Sequence, residues 1–276
     1  MPQLRERIPT SMGSVDQSVV WITGASSGIG TELALAFARR KCKLVLSGRK
    51  VDALQTVADQ AQLLGAPHVW VKPFDGTDFS VIPSLGAQIW EETGGVDILI
   101  NNAGISQRSL TAETDLSVDQ SIMNINYFAA VALTKSILRQ MIEKGNGHVV
   151  MMSSVVGYFG FYQRSAYAAS KHALHGFTDS LWAECSNQGI KTLLVTPGGV
   201  RTNISLNALN GKGEQFGKLD NLQAKGMEPD WVAKKVIQAI ESNKRELLLA
   251  QKERILVVLR RFFPTIYFWI IPKVRR

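Results

Sequence analysis

The sequence predicts an α/β fold: a doubly wound parallel sheet in one domain. Three observations carry that prediction. Short apolar, β-branched runs alternate with longer stretches of helical pattern along the 276 residues. The runs are continuously apolar, as strands are when helices cover both faces of a sheet. A glycine-rich turn, "TGASSGIG" at 23–30, follows the first run and opens a helical stretch. Right-handed crossovers between such strands wind the sheet both ways and leave ligand sites outside the carboxyl ends of the strands.

Taken in order, the first strand is "VVWIT" (19–23), followed by the helical pattern "TELALAFARRK". "KLVLS" (43–47) and "VWVK" (69–72) are the second and third strands, separated by the helix "KVDALQTVADQAQLL". "VDILI" (96–100) is the fourth, and a long apolar helix is predicted over 117–143. "HVVMMS" (148–153), a helix over 165–187, "KTLLVT" (191–196) and a last candidate, "ELLLA" (246–250), complete the series. No linker divides it. Residues 18–250 therefore read as one domain with a polar insertion at 203–226, preceded by an extension (1–17) and followed by an appendage (251–276).

Composition excludes several classes. The two cysteines are too few for a disulfide framework, and no metal-ligand spacing links them to the four histidines, so no metal site is expected. Of the net charge of +8, the segment from Lys244 onward carries +7, leaving a nearly neutral body. A basic tail on a neutral body does not read as a nucleic-acid surface. The opening "MPQLRERIPTSMGSVDQS" has no apolar core and reads as neither signal peptide nor anchor.

Glycines at 24, 28 and 30 let the backbone turn sharply and let a pyrophosphate approach the helix N-terminus, where free N–H groups and the macrodipole favour an anion. The second strand runs into Gly48 and Arg49, where an NAD site offers a carboxylate to the ribose 2′-hydroxyl. Arg49 could clamp a 2′-phosphate through its fork of donors, which points to NADP(H); the alternative is a solvated arginine at a strand end. Asp75, after the third strand, either accepts from the adenine amine or only forms a turn. In "SAYAASKHALHG" (165–176), Tyr167 and Lys171 stand four residues apart on one helix face. An ammonium at ~4 Å and an effective dielectric of ~20 favours a phenolate by ~4 kcal/mol.

"TGASSGIG", "NNAG" (101–104), "NINY" (124–127), "SS" (153–154), "YAASK" (167–171) and "PGGVRTN" (197–203) occur in the order and spacing of the short-chain dehydrogenase/reductase family, which the chain resembles over about residues 18 to 250. "GISQRSL", "ASKHALHGF" and the aromatic, basic tail look most like its dehydrogenase/reductase member 7 branch. The resemblance implies a Rossmann-type fold. It implies Tyr167 as acid/base, Lys171 as the residue that lowers its pKa, Ser154 as the holder of the substrate oxygen, and Asn126 as the holder of a water linking Lys171 to solvent. It also implies cofactor contacts from Gly24, Ser26, Ser27, Gly28, Ile29, Gly30, Asn102, Ala103, Gly104, Pro197, Gly198, Val200 and Thr202, besides Arg49, Asp75, Tyr167 and Lys171. One position departs from the pattern: NADP-using relatives often carry a basic residue before the second glycine, where this chain has Ser27, so the preference rests on Arg49.

The expected activity is hydride transfer between NADP(H) and a carbonyl or secondary alcohol of a lipophilic substrate, of the steroid, retinoid or lipid ketone class that the branch implies. Tyr158, Phe159, Phe161 and Tyr162 either line a lipophilic pocket or pack at an interface. A non-enzymatic NADP(H)-binding regulatory module would require a degraded catalytic position, and none is degraded. Sugar-nucleotide epimerase chemistry would require a larger domain after the sheet. The two long helices are expected to pair in a homodimer. Residues 255–271 are apolar but interrupted by Arg260, Arg261 and Pro264, which disfavours spanning a bilayer and favours lying on one. The tail thus reads as a peripheral attachment to the endoplasmic reticulum membrane, or else as a helix on a second subunit of a soluble cytoplasmic enzyme.

Overall fold

The computed structural model describes residues 13–220 and 224–274. Most of the predicted N-terminal extension, three residues of the 203–226 insertion and the last two of the tail lie outside the described residues. Strands β1 (Val19–Thr23), β2 (Lys43–Gly48), β3 (Val69–Pro73), β4 (Ile98–Asn101), β5 (Gly147–Met152), β6 (Ile190–Pro197) and β7 (Glu246–Leu249) form one parallel sheet in the order β3-β2-β1-β4-β5-β6-β7. The order reverses between β1 and β4, where Val20 pairs with Ile98 and Ile22 with Ile100. That switch point opens a crevice at the carboxyl ends of the two strands.

The sheet is apolar on both faces because both are covered. Val20 and Ile22 of β1 point to a core shared with α1 (Gly28–Ala38), α2 (Val51–Leu63) and α7 (Pro229–Glu241), through Leu33, Phe37, Leu54, Val232 and Val236. Val19 and Trp21 point the other way, into α3 (Ile82–Thr93), α5 (Ala129–Lys144) and α6 (Ser165–Cys185), through Ile82, Ile89, Ile137, Leu174 and Leu181. Trp21 is completely buried, and its indole donates to Ser47 Oγ at 2.9 Å, so no polar group is stranded there. At the opposite, amino end of the sheet an open polar hollow of about 410 Å³ is lined by Asp16, Asp97, His148 and Lys191.

The single helix expected over 117–143 is instead α4 (Leu116–Met123), a π-helical turn (Asn124–Phe128) and α5. Apolar periodicity continues through the turn and does not reveal it. Helix α1 starts at Gly28, three residues before its alanine- and leucine-rich pattern begins.

The tail folds back on the body. Pro264 divides it into α8 (Glu253–Phe262) and α9 (Pro264–Ile270). Tyr267 is buried, donates its hydroxyl to Gly160 O at 2.8 Å and packs its ring 6.1 Å from that of Phe159. The other face leaves Ile255, Phe262, Phe263, Phe268 and Trp269 exposed. No helix among the described residues is long and apolar enough to cross a membrane.

Candidate active site

The glycine-rich loop is fixed at the crevice by Thr23. Its hydroxyl accepts from the backbone N–H of Asn102 at 3.0 Å and of Ala103 at 3.1 Å, while Asn102 Nδ2 donates to Thr23 O at 2.9 Å. Gly24 has φ +65°, and a Cβ there would stand 2.9 Å from Ala103 Cα; a Cβ on Gly30 would stand 2.2 Å from Gly24 O. The two loops can touch only because these positions are glycine. Ile29 packs into the core, Ser26 borders Gly48, and Gly28 faces the Thr202 methyl.

The N-terminus of α1 suits an anion. Ser27 precedes its first turn without a side-chain capping bond, and that turn carries no acid. Its N–H groups point out of the loop, as a dinucleotide phosphate requires. Past β2, Gly48 leads to Arg49, exposed beside the crevice, and no carboxylate takes the position that would meet a ribose 2′-hydroxyl. Asp75 accepts from Thr77 N at 2.9 Å and Thr77 Oγ1 at 2.8 Å, so it forms a turn. Those bonds, and then the nearby Arg49 charge, hold its carboxyl below the ordinary range.

After β6, Gly198 N donates to Leu249 O at 2.7 Å, Val200 bridges to Met227, and Thr202 Oγ1 donates to Val200 O at 3.5 Å. These bonds place the Pro197–Thr202 segment on the far wall of the crevice. Pro197 O accepts from Ser154 Oγ at 3.3 Å, which joins that wall to the end of β5.

Helix α6 brings Tyr167 and Lys171 to Ser154. Burial pushes the Tyr167 phenol above its ordinary value, while a hydrogen bond with Ser154 and the charges of Arg164 and Arg108 pull it down. The expected cause, Lys171, is not among them. Its ammonium donates to Met152 O at 2.8 Å, lies 5.7 Å from the centre of the Tyr167 ring, and is itself lowered by burial to about 8. Desolvation disfavours the charged form of both groups, the phenolate and the ammonium. The phenol is therefore held protonated.

The π turn aims Asn126 inward. Its Oδ1 accepts from Ile105 N at 2.8 Å, and its Nδ2 donates to Ile105 O at 3.0 Å and Ser170 Oγ at 2.9 Å. A Cβ on Gly104 would stand 3.1 Å from Asn126 Oδ1 and 3.4 Å from Lys171 Nζ, so these three positions meet at one point. Of the aromatic run, Phe159 is core and Tyr158 donates its hydroxyl to Glu246. Phe161 stays at the rim beneath Arg164, 5.4 Å from ring centre to guanidinium carbon, in one cluster with Tyr167 and with Leu256 and Leu259 of the tail.

The sequence reading missed Thr23 and Ser170, although both lie inside or beside quoted motifs. It also missed Arg108, Arg164 and Asp220, which no spacing could join: Asp220 is 112 residues from one arginine and 56 from the other.

A family model described as short chain dehydrogenase matches residues 18–212. The chain is 42% identical over 259 residues to a Drosophila melanogaster dehydrogenase/reductase SDR family protein 7-like, covering 92% of this chain and 79% of that protein. A short-chain dehydrogenase from Streptomyces avermitilis superposes with TM-score 0.77 at 27% identity, over 92% of this chain and 96% of that one. A Burkholderia phymatum short chain dehydrogenase/reductase in complex with NAD shares the fold, with TM-score 0.82 at 23% identity over 92% and 96% of the chains. With a crevice built from the same ordered motifs, the chain belongs to the short-chain dehydrogenase/reductase family of oxidoreductases.

Proposed function

We propose that the protein transfers hydride between NADP(H) and the carbonyl or secondary alcohol of a lipophilic substrate, with Tyr167 as the proton donor. The observation that carries this reading is the convergence of Ser154, Tyr167 and Lys171 beside an uncapped glycine-loop helix. The dinucleotide, when bound, supplies the hydride. Tyr167, kept protonated by burial, gives its proton to the substrate oxygen, and Ser154 donates a hydrogen bond to the charge that develops there. Lys171, held by Met152 O and close to losing its own proton near neutrality, resupplies the phenol. Asn126 sets the floor beneath Lys171 and is where a water leading to solvent would bind.

Arg49, with no competing carboxylate after β2, supports NADP(H) over NAD(H). The Phe161 rim, continuous with apolar side chains of the tail, supports a lipid-like ketone, steroid or retinoid. The exposed face of α8 and α9 supports attachment to a membrane surface such as the endoplasmic reticulum. Phe128, at the end of the π turn, and Trp182, on α6, are exposed and support pairing of two copies.

Replacing Tyr167 with Phe tests the core of the reading, because the ring keeps its packing and loses only the transferable proton. The expected result is a loss of ~10²–10⁴ in kcat toward ketones, with NADPH binding retained by fluorescence titration. Retention of more than about a tenth of kcat rules Tyr167 out as the acid.

A further inference from the structure

We propose that Arg108 and Arg164 form a receptor for an anionic group, a carboxylate or a phosphate, carried by the substrate beside the carbonyl that Tyr167 protonates. This deepens the oxidoreductase reading and rests on it. Both arginines are buried, at 7% and 6% exposure, inside a body that the sequence leaves nearly neutral. Among the described residues one carboxylate, Asp220, bonds to both: it accepts from Arg108 Nη2 at 3.1 Å and from Arg164 Nη2. Arg108 Nη1 donates to Ser106 Oγ at 2.7 Å and Gln107 O at 2.6 Å, whereas its Nε is buried without a hydrogen-bond partner.

Charged donors are rarely buried and left unmet, so an orphaned guanidinium N–H marks a place where an acceptor belongs. Arg164 sits over Phe161, which packs in one cluster with Tyr167, and Gln107, next to Arg108, accepts from the backbone N–H of Ala166 at 2.9 Å, so both guanidinium groups lie beside the start of the helix that carries Tyr167. Burial and the neighbouring Arg164 lower Arg108 to about 10, which still leaves it charged at neutral pH, ready for a two-pronged bond to a planar carboxylate or a phosphate. Arg164 lies over Phe161, so a cationic patch and an apolar wall share one rim. That pairing fits an amphiphile with an acidic head and a hydrocarbon tail.

The test uses the full chain with NADPH and three substrates: a medium-chain γ-keto acid, its methyl ester, and an alkyl ketone bearing a phosphate. The keto acid and its ester share one skeleton and differ in charge; the phosphate shows which anion is favoured. A charge-assisted pair contributes roughly tenfold or more, so at least one anion should exceed the ester in kcat/KM by about that factor. Arg108→Gln should bring the ratio of anion to ester toward one, and Arg108→Lys should keep part of it. The ratio is insensitive to partial misfolding. A wild-type ratio near one overturns the proposal, as does a ratio that Arg108→Gln leaves unchanged, which would make the arginines struts for the Asp220 segment. Calorimetry with an alkyl carboxylate, an alkyl phosphate and the corresponding alcohol separates the two readings. If no ketone turns over, anion binding that Arg108→Gln abolishes keeps the receptor and removes the proposed reduction of a lipophilic ketone. If neither anion outbinds the alcohol, the receptor is overturned.

Discussion

Arg49 and Lys171 are charges that the sequence places near one ligand and the fold treats in opposite ways. Arg49 is exposed at the end of β2, free to meet a phosphate. A charge-assisted pair there contributes ~1.5–3 kcal/mol, or roughly ten- to a hundredfold. Arg49→Ala should raise the KM for NADPH by that factor and leave the KM for NADH nearly unchanged. Equal losses for both cofactors would make Arg49 structural. Lys171 is buried and lowered to about 8 from 10.5. Between those values the unfolded chain holds a proton that the folded chain has released, so this residue's contribution to stability rises with pH across that window. Urea titrations of the wild type against Lys171→Met should show the difference moving in favour of the wild type as pH rises from 8 toward 10.5. A flat difference would mean that the ammonium is solvated. Tyr167 and Lys171 were legible as a pair from their spacing; the direction of the phenol's shift was not, because burial depends on α6 lying under the whole crevice.

At the scale of elements, the π turn at Asn124–Phe128 decides more than its five residues suggest. A regular helix there would rotate Asn126 away from the start of the Ile105 loop, whereas the wider turn directs its amide inward. There it satisfies both the N–H and the C=O of Ile105. Asn126→Ala should strand those two groups, and each buried unsatisfied group costs ~1–3 kcal/mol. The expected outcome is a lower urea midpoint and weaker cofactor binding, since Gly104 belongs to the same contact. An unchanged midpoint would show that water replaces the amide at no cost. "NINY" was visible as a motif, but its geometry was not: apolar side chains recur through the turn at nearly helical spacing, and periodicity averages over a single extra residue.

At the scale of the whole molecule, the tail is both packed and exposed. Tyr267 closes against Phe159 and Gly160, next to Phe161, while seven large apolar residues face outward. Arg260 lies 5.2 Å from the centre of the Phe268 ring, and Lys273 lies 3.2 Å from that of Trp269, so cations and aromatic rings alternate along the exposed face. Such a face embeds its rings among headgroups while its cations meet anionic phosphates, at ~1 kcal/mol for each cation. The full chain should cosediment with phosphatidylserine vesicles and lose that binding when residues 251–276 are removed. Near-equal binding of the two forms, or none by either, would assign the tail to protein contacts alone. Because Leu256 and Leu259 pack in the Tyr167 cluster, the truncation is also expected to lower the thermal midpoint.

By itself the sequence determined the strands, the glycine loop and the order of the motifs, because each is encoded in local spacing: continuous apolar runs, turn glycines, and residues four apart on a helix. Only the tertiary structure decided what depends on distance in space. It brought Arg108 and Arg164 to Asp220, removed Phe159 from the rim to the core, and folded the tail onto the Tyr167 cluster. It also set the burial that raises the Tyr167 phenol above its ordinary value. The physical reason is common to all of these. Desolvation and long-range pairing are set by which surfaces the fold covers, and no local pattern in a chain records what will lie over it.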